Sequence, residues 1–258
     1  MVKFRHKLIY AILSPVLKIF FRLVYGYRGL AEGVLKKNEP ALILSNHNGA
    51  LDPFFLALSF KSPVYFLASD HIFRLGFISK VIEYLVRPIP IVKSQLDLKA
   101  IKQMNTVIKE GGLVGIFPEG NRSFNGKTCF IGPAIGKLVK NINASLVIYR
   151  MDGGYLTRPR WAKHKRRGHF EGRVVEYVSK DQLKNMTGRE IHELIKERLD
   201  LDAFLYQRHK CSPYRGKKLA ERLEITLFIC PNCQSMATVF SKIDKVFCSV
   251  CQLELKYN

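Results

Sequence analysis

Apolar positions along the chain follow two rhythms. Short unbroken runs recur at residues 41–45 (Ala-Leu-Ile-Leu-Ser), 63–68 (Pro-Val-Tyr-Phe-Leu-Ala), 113–117 (Leu-Val-Gly-Ile-Phe) and 145–149 (Ser-Leu-Val-Ile-Tyr). Their length predicts buried strands. Between them the spacing turns helical: from near Pro53, over 71–86, over 96–110 with a stop at Gly111-Gly112, and over 131–140. Residues 87–92 read as a short extended segment and 170–178 as a further strand. Thr187 and Glu190 make a capping box that opens a helix from Ile191 to Leu199. Strands alternating with helices predict an α/β fold, a mostly parallel or mixed sheet flanked by helices.

The N-terminal pattern is different. Lys3, Arg5 and Lys7 precede an apolar run, Leu8 to Leu17, and Lys18 and Arg22 follow it. The opening imitates a signal peptide, but no small-residue cleavage site precedes the second pair of cations. The run itself falls short of the roughly 20 apolar residues that span a bilayer. On a helical wheel Lys3, Lys7, Ser14, Lys18 and Arg22 share a sector of roughly 100°, and most of the remaining circumference is apolar. This predicts an amphipathic helix lying in a membrane interface, its basic stripe toward the headgroups, with Pro15 bending it. Gly26, Gly29 and Gly33 mark a break after it. The predicted organisation is therefore an interfacial helix over 1–28, a main domain over 29–225 and a small cysteine-bearing unit over 226–258.

Composition changes this picture in one respect. Hydrophobic residues at 47% and charged residues at 24% are ordinary for a globular chain. The balance of charge is not: 42 Lys and Arg face 21 Asp and Glu, a net +21. Such a surface seeks anions, whether nucleic acid, anionic lipid or a phosphorylated substrate.

Two loops carry candidate chemistry. The first, Asn46-His47-Asn48-Gly49-Ala50-Leu51-Asp52-Pro53, directly follows a predicted strand. Asp52 reads as the N-cap of the next helix and Pro53 as its first-turn proline. Within one helix, residues five apart would point about 140° away from each other. A loop that folds back can instead bring Asp52 to His47. A carboxylate holding one ring nitrogen protonated leaves the other free to take a proton from an alcohol. Loops at the carboxyl ends of parallel strands are where α/β proteins place ligands. The second loop, Phe117-Pro118-Glu119-Gly120-Asn121-Arg122-Ser123, follows another predicted strand. Arg122 can grip a phosphate in bidentate fashion. Gly120 permits close backbone approach. Glu119 can bond a glycerol hydroxyl or brace Arg122.

With both loops present, the chain resembles the lysophospholipid acyltransferase family, typified by 1-acylglycerol-3-phosphate (lysophosphatidate) acyltransferase. The Asn-His-x4-Asp block is matched by Asn46, His47 and Asp52, and the Phe-Pro-Glu-Gly-Thr-Arg-Ser block by Phe117, Pro118, Glu119, Gly120, Arg122 and Ser123. The resemblance covers roughly residues 40–180. Gly49 stands where Ser is common and Asn121 where Thr is common. Ile89-Pro90-Ile91-Val92-Lys93 looks like the family's second block with Lys for Arg, and the proline of its fourth block is absent near Ser145 to Tyr149. These departures bear on the acceptor headgroup rather than on the reaction.

The resemblance implies direct acyl transfer without an acyl-enzyme. His47 and Asp52 would be catalytic; Glu119, Gly120, Arg122 and Lys93 would bind the lysophospholipid acceptor. The donor would be acyl-CoA or acyl-carrier protein, and the product phosphatidate. It also implies work at an anionic membrane surface, peripheral or monotopic on the cytoplasmic face. Ser45, Ser123 and Cys129 lie near in sequence but belong to no recognised nucleophile motif.

Two segments remain. Arg158, Arg160, Lys163, Lys165, Arg166 and Arg167 surround Trp161, the one tryptophan. A membrane-facing loop with Trp161 at headgroup depth, a nucleic-acid surface, a donor-docking patch and a solvated loop all fit that composition. The tail holds Cys230-Pro-Asn-Cys233 and Cys248-Ser-Val-Cys251. Two such knuckles predict a zinc ribbon in which four thiolates close a structural Zn²⁺ site. A segment this short lacks a core of its own, so the metal would supply its folding energy. The cysteine pattern suggests a reducing compartment and no disulfide framework. The competing functions are an acyltransferase for a different lysolipid and a basic zinc-ribbon protein that binds nucleic acid. The two acyltransferase loops favour lipid, and no nucleic-acid partner is expected.

Overall fold

The 41–45 run becomes the middle strand of the main sheet. The computed structural model describes residues 2–31, 33–69, 73, 76–91 and 98–257. In chain order its elements are α1 (Phe4–Tyr25), β1 (Tyr27–Leu30), β2 (Ala41–Ser45), α2 (Asp52–Ser59), β3 (Val64–Ser69), α3 (Phe77–Val86), β4 (Ile89–Ile91), α4 (Leu98–Lys109), β5 (Leu113–Ile116), α5 (Ala134–Asn141), β6 (Ser145–Asp152), α6 (Gly154–Thr157), β7 (Arg166–Arg167), β8 (Phe170–Val178), α7 (Lys180–Asn185), α8 (Gly188–Leu199), α9 (Ala203–Lys210), β9 (Arg215–Gly216), β10 (Val239–Lys242), β11 (Lys245–Cys248) and β12 (Glu254–Lys256). The main sheet runs β1-β8-β6-β2-β5-β3-β4. Strands β6, β2, β5, β3 and β4 pair in parallel, β8 runs antiparallel to β6, and β1 is parallel to β8. The sheet is thus mixed and mostly parallel, as the alternation predicts.

Alternate residues of each central strand enter two cores. Leu42, Leu44, Val114, Ile116, Leu146 and Ile148 face α4, α5 and α8. Ala41, Ile43, Leu113, Val147 and Tyr149 face α1 and α2. Burial on both faces is why these strands read as unbroken apolar runs rather than as alternating ones. Because β2 lies between β6 and β5, the loops leaving the carboxyl ends of β2 and β5 are neighbours.

Several elements depart from the expected pattern. Strand β1 lies where glycines suggested only a break. A Cβ at Gly29 would stand 2.0 Å from the Ser59 hydroxyl, so that glycine serves close approach of α2 rather than a turn. Helix α7, capped by Ser179 with Gln182 in a capping box, was not foreseen. The helix expected over 71–86 begins at Phe77; residues 70–72, 74 and 75 lie outside the described residues.

Helix α1 is longer than its apolar run and extends through Pro15. At 22 residues it is long and apolar enough to cross a bilayer by length and composition, which corrects the expectation drawn from the shorter run. One stripe docks on the domain. His6 Nδ1 lies 2.9 Å from the Tyr65 hydroxyl, the Tyr10 hydroxyl donates to the Ala57 and Phe60 carbonyls, and Phe21 packs edge-on against Phe55. The opposite stripe, Phe4, Leu8, Ile12, Val16, Ile19 and Leu23, is exposed.

The tail forms a three-stranded antiparallel sheet, β10-β11-β12. The Ala220 and Leu219 amides donate to the Ile243 carbonyl and the Asp244 carboxylate, tying the preceding segment to it.

Candidate active site

The loop after β2 folds back on itself as its chemistry requires. His47 Nδ1 lies 2.8 Å from Asp52 Oδ2. The same oxygen accepts the main-chain N–H groups of Asn48 at 2.5 Å and Gly49 at 2.8 Å. Asp52 is buried, and it stands inside the first turn of α2 with Leu51 as the N-cap. This corrects the expected N-cap role: the carboxylate caps the preceding loop and not the helix. An acceptor carboxylate requires the proton on Nδ1, so Nε2 carries the lone pair. Nε2 has no partner among the described residues. Asn46 and Asn48 fasten this loop to β6, both side chains donating to the Met151 carbonyl.

The second loop lies against the first. The Ser123 amide donates to the His47 carbonyl at 2.8 Å. Glu119 is buried, with Oε1 accepting the His47 N–H at 2.7 Å and Oε2 the Cys129 N–H at 2.6 Å. Both carboxylate oxygens are thus engaged behind His47. Burial pushes the Glu119 carboxyl up from its ordinary value, and the two main-chain donors pull it back. The Phe117 ring stacks on the His47 imidazole with centroids 4.4 Å apart, and Phe66 stacks behind Phe117. Sequence spacing gave Phe117 no role; it fixes the plane in which the imidazole lies. Gly120 has φ +66° and open space around it. Arg122 is exposed beside these groups. Lys93 lies outside the described residues.

The arrangement suits a general base better than a covalent nucleophile. The Ser123 hydroxyl donates to the Lys127 carbonyl and accepts the Gly126 N–H. Ser45 is buried and bonded to Asn46. Burial raises the Cys129 thiol above its usual value, which disfavours a thiolate.

The basic stretch is not a free loop. Trp161 and Arg166 are buried, so Trp161 is available neither to headgroups nor to bases. This corrects both of those expectations for Trp161.

The four tail cysteines converge. Cys230 and Cys251 sulfurs are 3.7 Å apart, as are those of Cys233 and Cys248, and all four lie within 4.8 Å of one another. Zn–S bonds of about 2.3 Å in a tetrahedron set sulfurs roughly 3.8 Å apart, so this donor set fits a metal ion. The two knuckles are built alike. Cys230 and Cys248 each accept the amide of a glutamine at positive φ, Gln234 and Gln252, and donate their own amide to the Ser235 and Leu253 carbonyls. Main-chain donors from Cys251, with the Thr238 hydroxyl, hold the Cys248 thiol down at about 6.

Comparison with known proteins agrees with this geometry. Residues 30–150 match the family model described as Acyltransferase. It is similar to a 1-acyl-sn-glycerol-3-phosphate acyltransferase of Pseudomonas aeruginosa, 33% identical over 54% of this chain and 54% of that protein. It is also similar to one of Borreliella burgdorferi, 32% identical over 38% of this chain and 39% of that protein. The chain thus matches about half, or less, of the length of these curated relatives. The crystal structure of the 1-acyl-sn-glycerophosphate acyltransferase PlsC from Thermotoga maritima shares the fold, with a TM-score of 0.62 at 17% identity over 81% of this chain and 84% of that one.

Proposed function

We propose that this chain transfers a fatty acyl group from the thioester of acyl-CoA or acyl-carrier protein to the free hydroxyl of lysophosphatidate. The observation that carries the reading is the His47 imidazole, held through Nδ1 by buried Asp52 and open at Nε2, beside an exposed arginine. Nε2 takes the acceptor's hydroxyl proton as its oxygen attacks the thioester carbonyl. The carbonyl oxygen carries the negative charge of the tetrahedral intermediate. On collapse the C–S bond breaks, and the leaving thiolate takes the proton back from Nε2, giving ester and thiol. Arg122 and Lys93 are the cations assigned to the acceptor phosphate, and Glu119 and Gly120 the loop that shapes its glycerol site. The relatives' names support lysophosphatidate over another lysolipid.

The exposed stripe of α1, flanked by Lys3, Lys7, Lys18 and Arg22, supports peripheral attachment to an anionic membrane surface, on the cytoplasmic face. The same reading divides the chain into a surface helix (1–28), a transfer domain (29–225) and a zinc ribbon (226–258). The sulfur geometry supports structural Zn²⁺ with no open coordination position.

The test is a matrix of acyl donors and lysolipid acceptors offered to the purified chain with anionic vesicles, alongside His47→Ala and a zinc assay. Transfer to lysophosphatidate that survives His47→Ala rules this mechanism out. Transfer confined to another lysolipid replaces the acceptor.

A further inference from the structure

The stretch from Pro159 to His169 joins two parts of the molecule that the sequence keeps apart. At one end Arg160 donates from Nη1 to the Arg122 carbonyl at 3.2 Å. Its guanidinium carbon stands 5.9 Å from the centre of the Phe124 ring. Arg160 is exposed, and neither it nor Arg122 pairs with a carboxylate among the described residues. Its charge is felt as far as the Cys129 thiol, whose amide is bonded to Glu119 behind His47. Two exposed arginines without a carboxylate partner among the described residues therefore meet at this loop, one on it and one bonded to its main chain.

At the other end the stretch is clamped by the tail. The Arg166 guanidinium packs against two rings, 5.0 Å from the centre of Trp161 and 4.8 Å from that of Tyr257. It also donates to the Leu219 carbonyl at 2.6 Å. Trp161 meets Tyr257 edge-on. Tyr257 directly follows β12, and its amide donates to the Asp244 carbonyl between β10 and β11. Its position thus depends on the small sheet that the four cysteines staple. β7 pairs with β9, and Glu221 faces both Lys163 and His164.

Resting on the lysophosphatidate reading above, we propose that Arg160 is a second guanidinium for the acceptor's phosphate monoester, and that the cysteine ribbon holds it in place through Tyr257, Arg166 and Trp161. Arg160 is bonded to the main chain of the residue whose own side chain is assigned to the phosphate, and with no carboxylate partner for either among the described residues this edge of the loop favours an anion. A phosphate monoester, close to doubly charged at neutral pH, suits two forked donors. The Ser123-to-His47 bond sets this grip at a fixed distance from Nε2, so binding the phosphate also places the hydroxyl. Tyr257, Arg166 and Trp161 are positioning residues; of these four side chains only Arg160 touches the substrate.

The full chain, in detergent with lysophosphatidate, gives separate readouts for the two halves. Trp161 is the one tryptophan and is 5% exposed, so its emission reports ribbon docking independently of turnover. Stripping the metal with a chelator should shift that emission to the red. It should also raise the acceptor KM about ten-fold, with kcat and donor KM little changed. Arg160→Ala should raise the acceptor KM to the same degree without moving emission or metal content. Tyr257→Ala, which leaves every cysteine in place, should shift emission and KM while metal is retained. Unchanged acceptor KM in Arg160→Ala overturns the phosphate contact, as does an equal rise for a monoacylglycerol acceptor that lacks phosphate. Emission that moves without KM, or KM unmoved in Tyr257→Ala, overturns the ribbon's part. If the wild type acylates no lysophosphatidate, the acceptor reading falls and the phosphate role with it, while the emission shift still decides whether the ribbon anchors the stretch.

Discussion

The candidate active-site loops and the cysteine cluster are both convergent groups of side chains brought together from two turns, yet they are held by opposite means. His47 lies in the loop just after β2 and Asp52 in the first turn of α2, elements packed into the cores of the main sheet. Asp52 accepts two main-chain N–H groups of its own loop, and the His47 N–H donates to the Glu119 carboxylate of the other. The cysteine unit has almost no interior. Among its described residues Cys230, Val246 and Cys248 are buried, while Phe228, Ile229, Met236, Phe240 and Val250 are exposed. In the first region the fold makes the site; in the second the site makes the fold. Side-chain removal should therefore abolish chemistry in one region and structure in the other.

The sharpest break of that contrast is His47→Ala. It should lower kcat by about a thousand-fold with the melting temperature within a degree or two of wild type, measured by calorimetry beside steady-state assays. A collapse in stability would show that the imidazole is structural. Next comes Glu119→Ala, which leaves the half-buried His47 and Cys129 amides without an acceptor. Two such losses cost about 2–5 kcal/mol, or roughly 5–15 °C in melting temperature for a domain of this size. An unshifted melting curve would remove Glu119 from the frame behind His47. Smaller again is Cys248→Ser. It should erase hydrogen-exchange protection over 239–256 and leave protection in β2, β5 and β6, with transfer reduced about ten-fold rather than abolished. Loss of protection in the central sheet would refute the independence of the two regions.

The smallest effect is in pH. Burial raises the Glu119 carboxyl in the folded chain, so the folded state holds its proton to higher pH than the unfolded state does. Its contribution is fully present below the unfolded value of 4.5 and is lost as pH rises through the folded one. Wild type should therefore lose ground to Glu119→Gln in denaturant titrations as pH climbs through that window. A difference that is flat with pH, or of opposite slope, would falsify the assignment of burial as the dominant influence on this carboxyl.

Much of the main domain was legible because the central strands are buried on both faces, which leaves unbroken apolar runs at 41–45, 113–117 and 145–149. Proximity of His47 to Asp52 was legible from Pro53, which starts a helix and so forces the preceding residues into a loop. What stayed hidden depended on contacts between distant residues. Strand β1 is a partner of β8, 143 residues further on, and its Gly29 looks like a turn until Ser59 is seen above it. Trp161 in a run of cations reads as a surface feature, because nothing local shows Tyr257 arriving from the end of the chain to cover it. Glu119 reads as a substrate ligand for the same reason: the amides that engage it belong to residues 47 and 129.

Helix α1 leaves one stripe, from Phe4 to Leu23, unclothed by the rest of the chain. At about 1.5 Å per residue that strip is roughly 30 Å long, a continuous greasy edge on a molecule that is otherwise strongly cationic. In plain aqueous buffer those two properties compete, since charge keeps copies apart while the strip draws them together. Raising ionic strength screens the first and not the second. Such a chain should be monodisperse in dilute salt and associate in concentrated salt, the reverse of a protein held together by ion pairs. The choice of buffer will then decide whether an assay sees single molecules or clusters with α1 hidden inside them.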